Sequence, residues 1–432
     1  MKIFQTKQET ASYWKEVNLI SQGKASISIT VDPSIHYQEH IGFGGAFTEA
    51  AAYTISLAPP DVRQEAIRAY FSDEGLRYNL GRTSIHSCDF SLESYTYVKE
   101  DDASLDSFSL QREEQYVIPL IKEAQALSSE PLLIMSSPWS PPAFMKTNGH
   151  MCHGGSLKPE FASAWASYFI RYIEEMTLRG VPIWAVSVQN EPAAIQVWES
   201  CIYSASEERD FVKHHLGPAL ASMETKLMVW DHNRDELVER ATTILSDPET
   251  SKYVWGVANH WYVSEDFSAL DEVHRRFPDK YLMFTEGTVE YGIYGSEPRW
   301  ENGEHYGRNI IGDFSNWSRG WIDWNLFLNE EGGPNHVSNF CEAPIMYDRT
   351  TESLIYNISY YYIGHFSRYI ERGAKRIHLE SSLPSKVVAV AYQNPNHSIV
   401  LVLQNESNDD ITIDYHGVYT IAKRSITTFI KE

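Results

Sequence analysis

The strongest constraint on the fold is a regular alternation of two patterns between about residue 75 and residue 365. Short apolar runs alternate with amphipathic segments whose apolar residues recur at helical spacing. This strand–helix–strand order predicts a parallel sheet covered by helices. The predicted strands are 76–82, 131–136, 183–188, 226–230, 254–258, 281–285 and 320–325. The predicted helices include 111–127, 161–179, 207–220 and 271–277.

The number of strand–helix units approaches eight, and polar residues follow strand after strand. Both features are typical of a (β/α)8 TIM barrel, which we place at residues 41–370. An open, doubly wound sheet is the alternative. It is disfavoured because no GxGxxG motif opens a helix after the first predicted strand.

The carboxyl-terminal segment has a different pattern. The β-rich runs 386–392, 398–404, 411–415 and 425–430 are separated by Asn, Asp, Gly, Pro and Ser. Residues 25–31 show the same alternation near the amino terminus. We therefore predict a small β-sandwich domain formed from both chain termini, with strands from residues 1–40 joining residues 371–432.

Charge and composition restrict the possible partners. The formal net charge of -22, without a basic run to offset it, disfavours nucleic acids and anionic membranes. The sequence shows no secretory signal pattern and no long apolar stretch, which predicts a cytoplasmic protein without stable membrane insertion. Four scattered cysteines favour free thiols. The aromatic fraction of 13% suits neutral sugar ligands. The oligomeric state is left open.

Two glutamates stand at the ends of predicted strands. Glu191 follows the run 183–188 and precedes Pro192, and Glu286 follows the run 281–285. Strand ends of one barrel open into one mouth, so the two carboxyls are expected to meet there. Glycoside hydrolysis needs such a pair, and the amide of Asn190 could bind a sugar 2-hydroxyl. The alternative is that either glutamate ends a strand in solvent.

Other residues near strand ends suit a polyol ligand. Arg82 and Asp89 could clamp neighbouring hydroxyls, while Trp139 lies in a proline-rich loop that could support a sugar ring. The remaining residues of this kind are His260, Tyr262, Asp323 and Trp324. His260 is either a sugar contact or a buried supporting residue, and Asp323 could be a structural hydrogen-bond acceptor.

Two other enzyme classes have little support in the sequence. A metal-dependent hydrolase is disfavoured because the HExxH arrangement is absent and His214 and His215 are adjacent, which points them to different sides. A serine hydrolase is disfavoured because no GxSxG motif occurs. We therefore expect neither a metal nor another cofactor.

Seven segments, in order and spacing, resemble glycoside hydrolase family 30, and specifically its acid β-glucosidase (glucosylceramidase) branch. They are GFGGAFTEAAA (42–52), SCDFSLESYTY (87–97), SPWSPPAFMKTNG (137–149), VQNEPAA (188–194), NHWY (259–262), FTEG (284–287) and GWIDWNLFLNEEGGPNHVSNF (320–340). The set extends over nearly the whole predicted barrel.

This resemblance implies a metal-free double displacement through a glycosyl-enzyme ester. Glu191 matches the acid/base of the family and Glu286 its nucleophile. The residues expected to hold the terminal glucose are Arg82, Asp89, Trp139, Asn190 and Trp324. By the same matching, Tyr262 lies near the nucleophile and Asn339 at the aglycone rim.

The predicted function is a retaining, exo-acting β-glucosidase acting on a small carbohydrate or glycolipid. The stretch 195–206 and His336 depart from the lipid-cleaving members, and no apolar lip is readable from the sequence. A soluble β-1,6-glucoside therefore competes with ceramide glucoside as the substrate. A β-xylosidase, a β-1,6-glucanase and a non-catalytic carbohydrate-binding protein stay open.

Two expectations concern the carboxyl pair itself. Retention predicts that the two carboxyls lie about 5–5.5 Å apart, whereas inversion requires about 6.5–9.5 Å. We also expect the charge of Glu286 to raise the pKa of Glu191, so that Glu191 is protonated at rest.

Overall fold

The computed structural model describes residues 1–21 and 23–432, so residue 22, inside the predicted segment 1–40, lies outside the described residues. The chain begins with the three strands β1 (Lys2–Lys7), β2 (Ser12–Glu16) and β3 (Ile27–Glu39). None of these three strands belongs to the barrel that follows.

Eight parallel strands then close into a barrel, which confirms the predicted (β/α)8 fold. They are β4 (Gly42–Ala46), β5 (Leu80–Ile85), β6 (Leu133–Pro138), β7 (Ile183–Ser187), β8 (Lys226–Asn233), β9 (Gly256–His260), β10 (Tyr281–Glu286) and β11 (Ser318–Asn325). The barrel interior is filled by Leu80, Met135, Ala185, Met228, Ala258, Met283 and Ile322. It is therefore a packed core rather than a channel.

Helices cover the outside of the barrel. They are α1 (Glu49–Ser56), α2 (Pro60–Phe71), α3 (Val117–Leu127), α4 (Ala162–Leu178), α5 (Ala205–Phe211), α6 (Gly217–Leu220), α7 (Leu237–Leu245), α8 (Pro248–Ser251), α9 (Ser268–Arg276), α10 (Tyr291–Tyr294), α11 (Trp300–Ser315) and α12 (Ile358–Ser367). The longest of them, α4, shows why they pack: it buries one face formed by Trp165, Phe169, Tyr172, Ile173 and Met176.

A small sheet that the sequence patterns did not predict follows the last barrel strand. It consists of β12 (Phe327–Asn329), β13 (Ile345–Asp348) and β14 (Ser353–Tyr356). Its strands are only three or four residues long, so they carry too little alternation to be recognised.

The sandwich contains strands from both ends of the chain, as predicted. The carboxyl-terminal strands are β15 (Lys375–Ser381), β16 (Val387–Gln393), β17 (Ile399–Asn405), β18 (Ile411–Asp414), β19 (Val418–Ile421) and β20 (Ser425–Lys431). The strand order is β19-β18-β3-β15-β16-β17-β20-β1-β2. Ile413 and Ile421 of the outer strands share a core with Leu401 and Phe429 of the central ones. The boundaries 1–40, 41–370 and 371–432 stay a prediction.

Two strand assignments need correction. The strand β4 was missed because its sequence, GFGGA, lacks β-branched residues. The run predicted at 76–82 is shifted, since β5 spans Leu80–Ile85. Arg82 therefore lies within a strand and is fully buried, rather than standing at an exposed strand end.

Two further properties bear on the sequence analysis. All four cysteines are free and buried. Within the described ranges, no helix combines the length and apolar character needed to cross a bilayer.

The glycines of β4 allow its close approach to β5. A Cβ at Gly44 would lie 2.1 Å from the carbonyl oxygen of Leu80. We expect Gly44→Ala to force the strands apart and lower the free energy of unfolding by about 3 kcal/mol. Thermal unfolding measures the change. Gly292→Ala is the control because its Cβ would meet nothing within 4 Å; equal melting temperatures of the two variants would contradict the argument.

Candidate active site

A cavity of about 380 Å³ opens at the carboxyl ends of the barrel strands. Eight of the ten residues predicted from the sequence line it: Asp89, Trp139, Asn190, Glu191, Tyr262, Glu286, Trp324 and Asn339. The other two, Arg82 and His260, are fully buried and contact the lining residues from behind. The structure thus brings all ten predicted residues into one region.

Glu191 lies four residues beyond the end of β7 in a constrained backbone. Its φ of 47° is in the left-handed region, which is uncommon for a residue other than glycine. Its N–H donates to the carbonyl of Asp231 over 3.0 Å, and the N–H of Asn190 donates to that of Pro138 over 2.8 Å. These bonds to β8 and β6 fix the direction of the side chain, and such strain is typical of functional sites.

Glu286 is the last residue of β10 and faces Glu191. The hydroxyl of Tyr262 donates to its Oε1 over 2.9 Å, and Nη1 of Arg82 lies 3.3 Å from its Oε2. One oxygen of each glutamate and one ring nitrogen of His260 all lie within 4.8 Å of one another. The two carboxyl groups are therefore close neighbours across the cavity.

A buried carboxylate, Asp231, connects the strands beneath this pair. The guanidinium of Arg82 donates to it over 3.0 Å, and both side chains are fully buried. The hydroxyls of Ser137, Ser187 and Thr285 also donate to it, over 2.8, 2.6 and 2.6 Å. Although burial raises the pKa of Asp231, Arg82, His260 and the hydroxyl of Ser187 hold it well below its usual range. Asp231 is therefore ionised.

Asp231 was not singled out in the sequence, although a signal for it exists. It follows the predicted strand 226–230 directly, as Glu286 follows its own strand. The same strand-end argument applied to this strand would have found it. A bulge between Trp230 and His232, where the register with β9 shifts, accompanies the φ of 53° at Asp231.

Arg82 has a different environment from the one predicted. Its guanidinium donates to the carbonyl of Thr285 over 2.7 Å and to Oδ1 of Asn190 over 2.8 Å, besides its contacts with Asp231 and Glu286. Because protein groups accept the hydrogen bonds of its guanidinium, Arg82 orients these neighbouring side chains. Because Oδ1 of Asn190 is already bound, the amide nitrogen is the group left to donate to a ligand.

His260 bridges two carboxylates. Its Nδ1 lies 3.1 Å from Oε1 of Glu191, and its Nε2 lies 3.0 Å from Oδ1 of Asp231. Burial lowers the pKa of the ring, but the charge of Glu286 and these hydrogen bonds outweigh it and raise the pKa to about 9. His260 is therefore protonated and donates from both nitrogens.

The protonated ring reverses one expectation. Burial raises the pKa of Glu191, but His232, His260 and Arg82 hold it below its ordinary value. Burial raises the pKa of Glu286, with Glu191 adding to the increase and His260 and Arg82 opposing it. The expectation that Glu191 is protonated at rest differs from this net direction because it left out the cationic neighbours that lower the pKa of Glu191. In this arrangement the proton lies on His260, 3.1 Å from Glu191.

The inner end of the cavity is closed by buried side chains. Trp139 and Trp324 stack with ring centroids 5.3 Å apart. Beside them, the amide of Asn339 donates to Asp89 over 3.1 Å. Burial and the charge of Glu286 raise the pKa of Asp89 to about 7, although the hydrogen bond from Asn339 lowers it. This end therefore offers an aromatic wall and a hydrogen-bonding carboxyl side by side.

Exposed apolar side chains occur on the loops that lead to the outer end of the cavity, and we call this set the apolar rim. Fourteen large apolar residues are exposed among the described residues, and six of them stand on the loops that follow β7, β9, β10 and β11. These six are Ile195, Val197, Val263, Ile293, Tyr294 and Phe340. Val263 and Ile293, both about two-thirds exposed, also line the cavity itself. No apolar lip is readable from the sequence, so the exposure of these side chains at the cavity is a correction that comes from the structure.

Other cavity residues were also missed from the sequence. They are Ala194, Gln196, Trp198, His232, Asn233, Thr288, Glu290 and Cys341. Most lie several residues beyond a strand end, where loop path rather than strand direction decides what faces the cavity. Asp323, in contrast, accepts a hydrogen bond from Tyr306 over 2.9 Å and is a buried structural acceptor.

Comparison with known proteins agrees with this geometry. The family model for the glycosyl hydrolase family 30 TIM-barrel domain matches residues 41–370, and that for the family 30 β-sandwich domain matches residues 373–429. The chain belongs to glycosyl hydrolase family 30. It is a glycoside hydrolase by family, as the sequence motifs predicted.

Three similar proteins span most of the chain. Lysosomal acid glucosylceramidase of Mus musculus is 38% identical over 405 residues, which cover 89% of this chain and 78% of the mouse protein. The crystal structure of SrfJ from Salmonella typhimurium has a TM-score of 0.92 and 35% identity, covering 100% of this chain and 99% of that chain. The endo-β1,6-glucanase BT3312 has a TM-score of 0.89 and 28% identity, covering 99% and 98%.

The buried ion pair gives a prediction about stability. Asp231→Asn keeps the shape of the side chain but leaves the Arg82 charge without its fully buried partner. We expect the free energy of unfolding to fall by about 3 kcal/mol, measured by denaturant or thermal unfolding. The control is Asp235→Asn, an exposed position four residues along, where we expect a change within about 0.5 kcal/mol. Similar losses in both variants would contradict a structural role for Asp231.

Proposed function

We propose that the protein is a retaining, exo-acting β-glucosidase with Glu191 as acid/base and Glu286 as nucleophile. The observation that carries the proposal is the approach of the two carboxyls, whose nearest oxygens lie within 4.8 Å of each other. Retaining glycosidases hold their carboxyls about 5–5.5 Å apart, whereas inverting enzymes leave room for water at about 6.5–9.5 Å. Nearest oxygens this close are compatible with the retaining arrangement, in which one carboxylate attacks the anomeric carbon directly.

The reaction takes two steps. The carboxylate of Glu286, oriented by Tyr262 and Arg82, attacks the anomeric carbon while Glu191 protonates the glycosidic oxygen. The leaving group departs as an alcohol, and the sugar remains as an ester of Glu286. Glu191 then removes a proton from water, which attacks the same carbon and releases the sugar and the free carboxylate.

His260 supplies the proton that Glu191 needs. A bound sugar removes water from Glu191 and thereby favours its neutral form. The proton then moves from Nδ1 of His260 to Glu191 over a distance of 3.1 Å, while Asp231 keeps its bond to the other ring nitrogen. The His260–Glu191 pair thus holds one proton and delivers it when the substrate is in place.

The closed inner end supports exo action on a single terminal unit. Trp139 and Trp324 present a flat apolar wall, and Asp89 and Asn339 present hydrogen-bonding groups to one ring. Asn190 donates to the 2-hydroxyl, where such a bond strengthens in the transition state. Glucose is the glycone we propose, and a β-xyloside would use the same carboxyl pair.

The apolar rim supports an aglycone with an apolar chain. Two of its side chains, Val263 and Ile293, border the cavity, so an alkyl chain leaving the site would cover them. This proposal agrees with the name of the mouse relative, a glucosylceramidase. One observation favours a second candidate, a β-1,6-glucoside: Trp198 lines the cavity and is half-buried, and it could stack on a second sugar.

The roles of the two glutamates are tested by chemical rescue. We expect Glu191→Ala to lower kcat/KM for octyl β-D-glucoside by about 10²- to 10⁴-fold. Azide should restore turnover of nitrophenyl β-D-glucoside in both variants. The product, identified by NMR, should be β-glucosyl azide from Glu191→Ala and α-glucosyl azide from Glu286→Ala. A 2-fluoroglucoside should label Glu286 in the unsubstituted enzyme. Near-normal turnover by Glu286→Ala, or an inverted product, would refute the mechanism.

The apolar rim is tested by a chain-length comparison. We expect the double variant Val263→Ser, Ile293→Ser to raise KM for octyl β-D-glucoside about tenfold, because apolar contact area at the cavity is lost. The KM for methyl β-D-glucoside should change less than twofold. Leu178→Ser removes an even more exposed apolar side chain, at the end of α4, and is the control. Preferred hydrolysis of gentiobiose over octyl glucoside by the unsubstituted enzyme would favour the second candidate instead.

A further inference from the structure

One buried carboxylate near the inner end of the cavity has no role in the proposed mechanism. Glu199, on the loop that follows β7, has a fully buried side chain and does not line the cavity. The hydroxyl of Ser87 donates to its Oε1 over 2.8 Å. Burial raises the pKa of Glu199, but its contacts with His336 and Ser94 outweigh burial and lower the pKa to about 2. A carboxylate ion buried in this way needs a cationic partner.

The cationic partner of Glu199 is His336. Its Nε2 lies 3.3 Å from Oε2 of Glu199, and its Nδ1 lies 3.1 Å from the carbonyl oxygen of Ser91. Because a carbonyl oxygen only accepts, Nδ1 carries a hydrogen, and a second hydrogen on Nε2 can be donated to the carboxylate. Burial lowers the pKa of His336, but Glu199 outweighs burial and raises the pKa. The protonated ring is therefore favoured, and it forms an ion pair with Glu199.

This ion pair holds the chain on both sides of Asp89. Ser87 donates to Glu199, and the carbonyl of Ser91 accepts from His336. These two serines stand two residues before and two residues after Asp89 in the sequence. Neither contact uses the carboxyl of Asp89, which lines the cavity. The pair therefore fixes the position of this residue and leaves its carboxyl free to face a ligand.

The same ion pair also fixes Asn339. His336 stands three residues before Asn339, on the loop between β12 and β13. Oδ1 of Asn335 accepts from the backbone N–H groups of Val337 and Asn339 over 2.9 and 3.1 Å, so residues 335–339 form one compact turn. The amide of Asn339 donates to Asp89 over 3.1 Å. A displacement of His336 would therefore move the group that donates to Asp89.

We propose that the Glu199–His336 ion pair positions Asp89 and Asn339 for the sugar, so that both members of the pair are positioning residues of the sugar pocket. The pair joins the loops that follow β5, β7 and β12, and neither member lines the cavity. It acts through the distance and direction of the hydrogen-bonding groups at the inner end. This proposal rests on the proposed function, because that function assigns the inner end to the sugar.

An ion pair that only stabilises the fold would behave differently from a positioning pair. Its loss would lower the melting temperature, but the molecules that remain folded would bind sugar with unchanged affinity. Loss of a positioning pair weakens the binding of the sugar ring itself. The reacting carboxyls are held instead by Arg82, His260 and Tyr262. We therefore expect KM to rise while kcat is retained.

The test is a double-mutant cycle with Glu199→Gln and His336→Phe. The first substitution keeps the shape of the side chain, and the second keeps a flat ring but removes both N–H donors. KM and kcat are measured with methyl β-D-glucoside, and the Kd of D-glucose is measured by isothermal titration calorimetry, which needs no turnover. We expect each variant to raise KM and Kd about tenfold, as one weakened hydrogen bond to a charged group does, with kcat within about twofold.

The double variant tests whether the two residues act as a unit. We expect it to raise KM and Kd about tenfold as well, rather than about a hundredfold, because either single substitution already breaks the pair. It buries no unpaired charge, so it gives an answer even if a single variant does not fold. Thermal unfolding of every variant shows which fraction is folded at the assay temperature.

The matched control is the double variant Lys213→Gln, Asp247→Asn. It removes another partly buried ion pair, with an Nζ–Oδ2 distance of 2.8 Å, between helical segments that cover the barrel. We expect its KM and Kd to equal those of the unsubstituted enzyme.

Three results would overturn the proposal. They are unchanged KM and Kd in folded variants of the Glu199–His336 pair, a fall in kcat without a rise in KM, and single effects that multiply in the double variant. Failure of the proposed function looks different: the unsubstituted protein would bind D-glucose without hydrolysing methyl β-D-glucoside, and the Kd values would still decide on the pair. A protein that neither binds D-glucose nor hydrolyses the glucoside would refute both.

Discussion

The candidate site depends on one buried ion pair, that of Arg82 with Asp231. Asp231 accepts hydrogen bonds from residues on β5, β6, β7, β9 and β10, so one carboxylate on β8 joins six of the eight barrel strands. Arg82, held by it, orients Asn190 and Glu286. Burying the charge of Asp231 or Arg82 without its partners would cost much free energy. With the partners in place, the buried charges fix a single arrangement of the surrounding side chains.

The layer of polar side chains around Asp231 is possible because the barrel interior beneath it is fully apolar. Small or flexible side chains such as Ala185, Met228 and Met283 fill the interior below the site. Above them, hydroxyls and charged groups form hydrogen bonds with one another around Asp231. The transition from apolar to polar occurs within a few residues along each strand, for example between Met228 and Asp231 on β8. Each strand therefore contributes both to the core and to the site.

Sequence reasoning succeeded where a residue's position follows from the strand that precedes it. The alternation of apolar runs located seven of the barrel strands, and strand ends located Glu191 and Glu286. It failed where contacts between distant parts of the chain determine the structure. The glycines of β4 allow the neighbouring strand to approach closely, and this makes β4 a strand. Arg82 is buried because Asp231, far along the chain, neutralises its charge. The apolar rim escaped notice because exposure of a loop side chain such as Ile293 depends on the path of the loop.

The two ends of the cavity differ in how firmly the fold fixes them, and this difference bears on substrate choice. At the inner end, Asp89 and Trp139 are buried and held by contacts with other parts of the barrel, so a change there disturbs packing as well as binding. At the outer end, Ile195, Val263 and Ile293 are mostly exposed, and their substitution costs the fold little. A substitution at the outer end can therefore change which ligands the cavity accepts there, because it leaves the buried network intact.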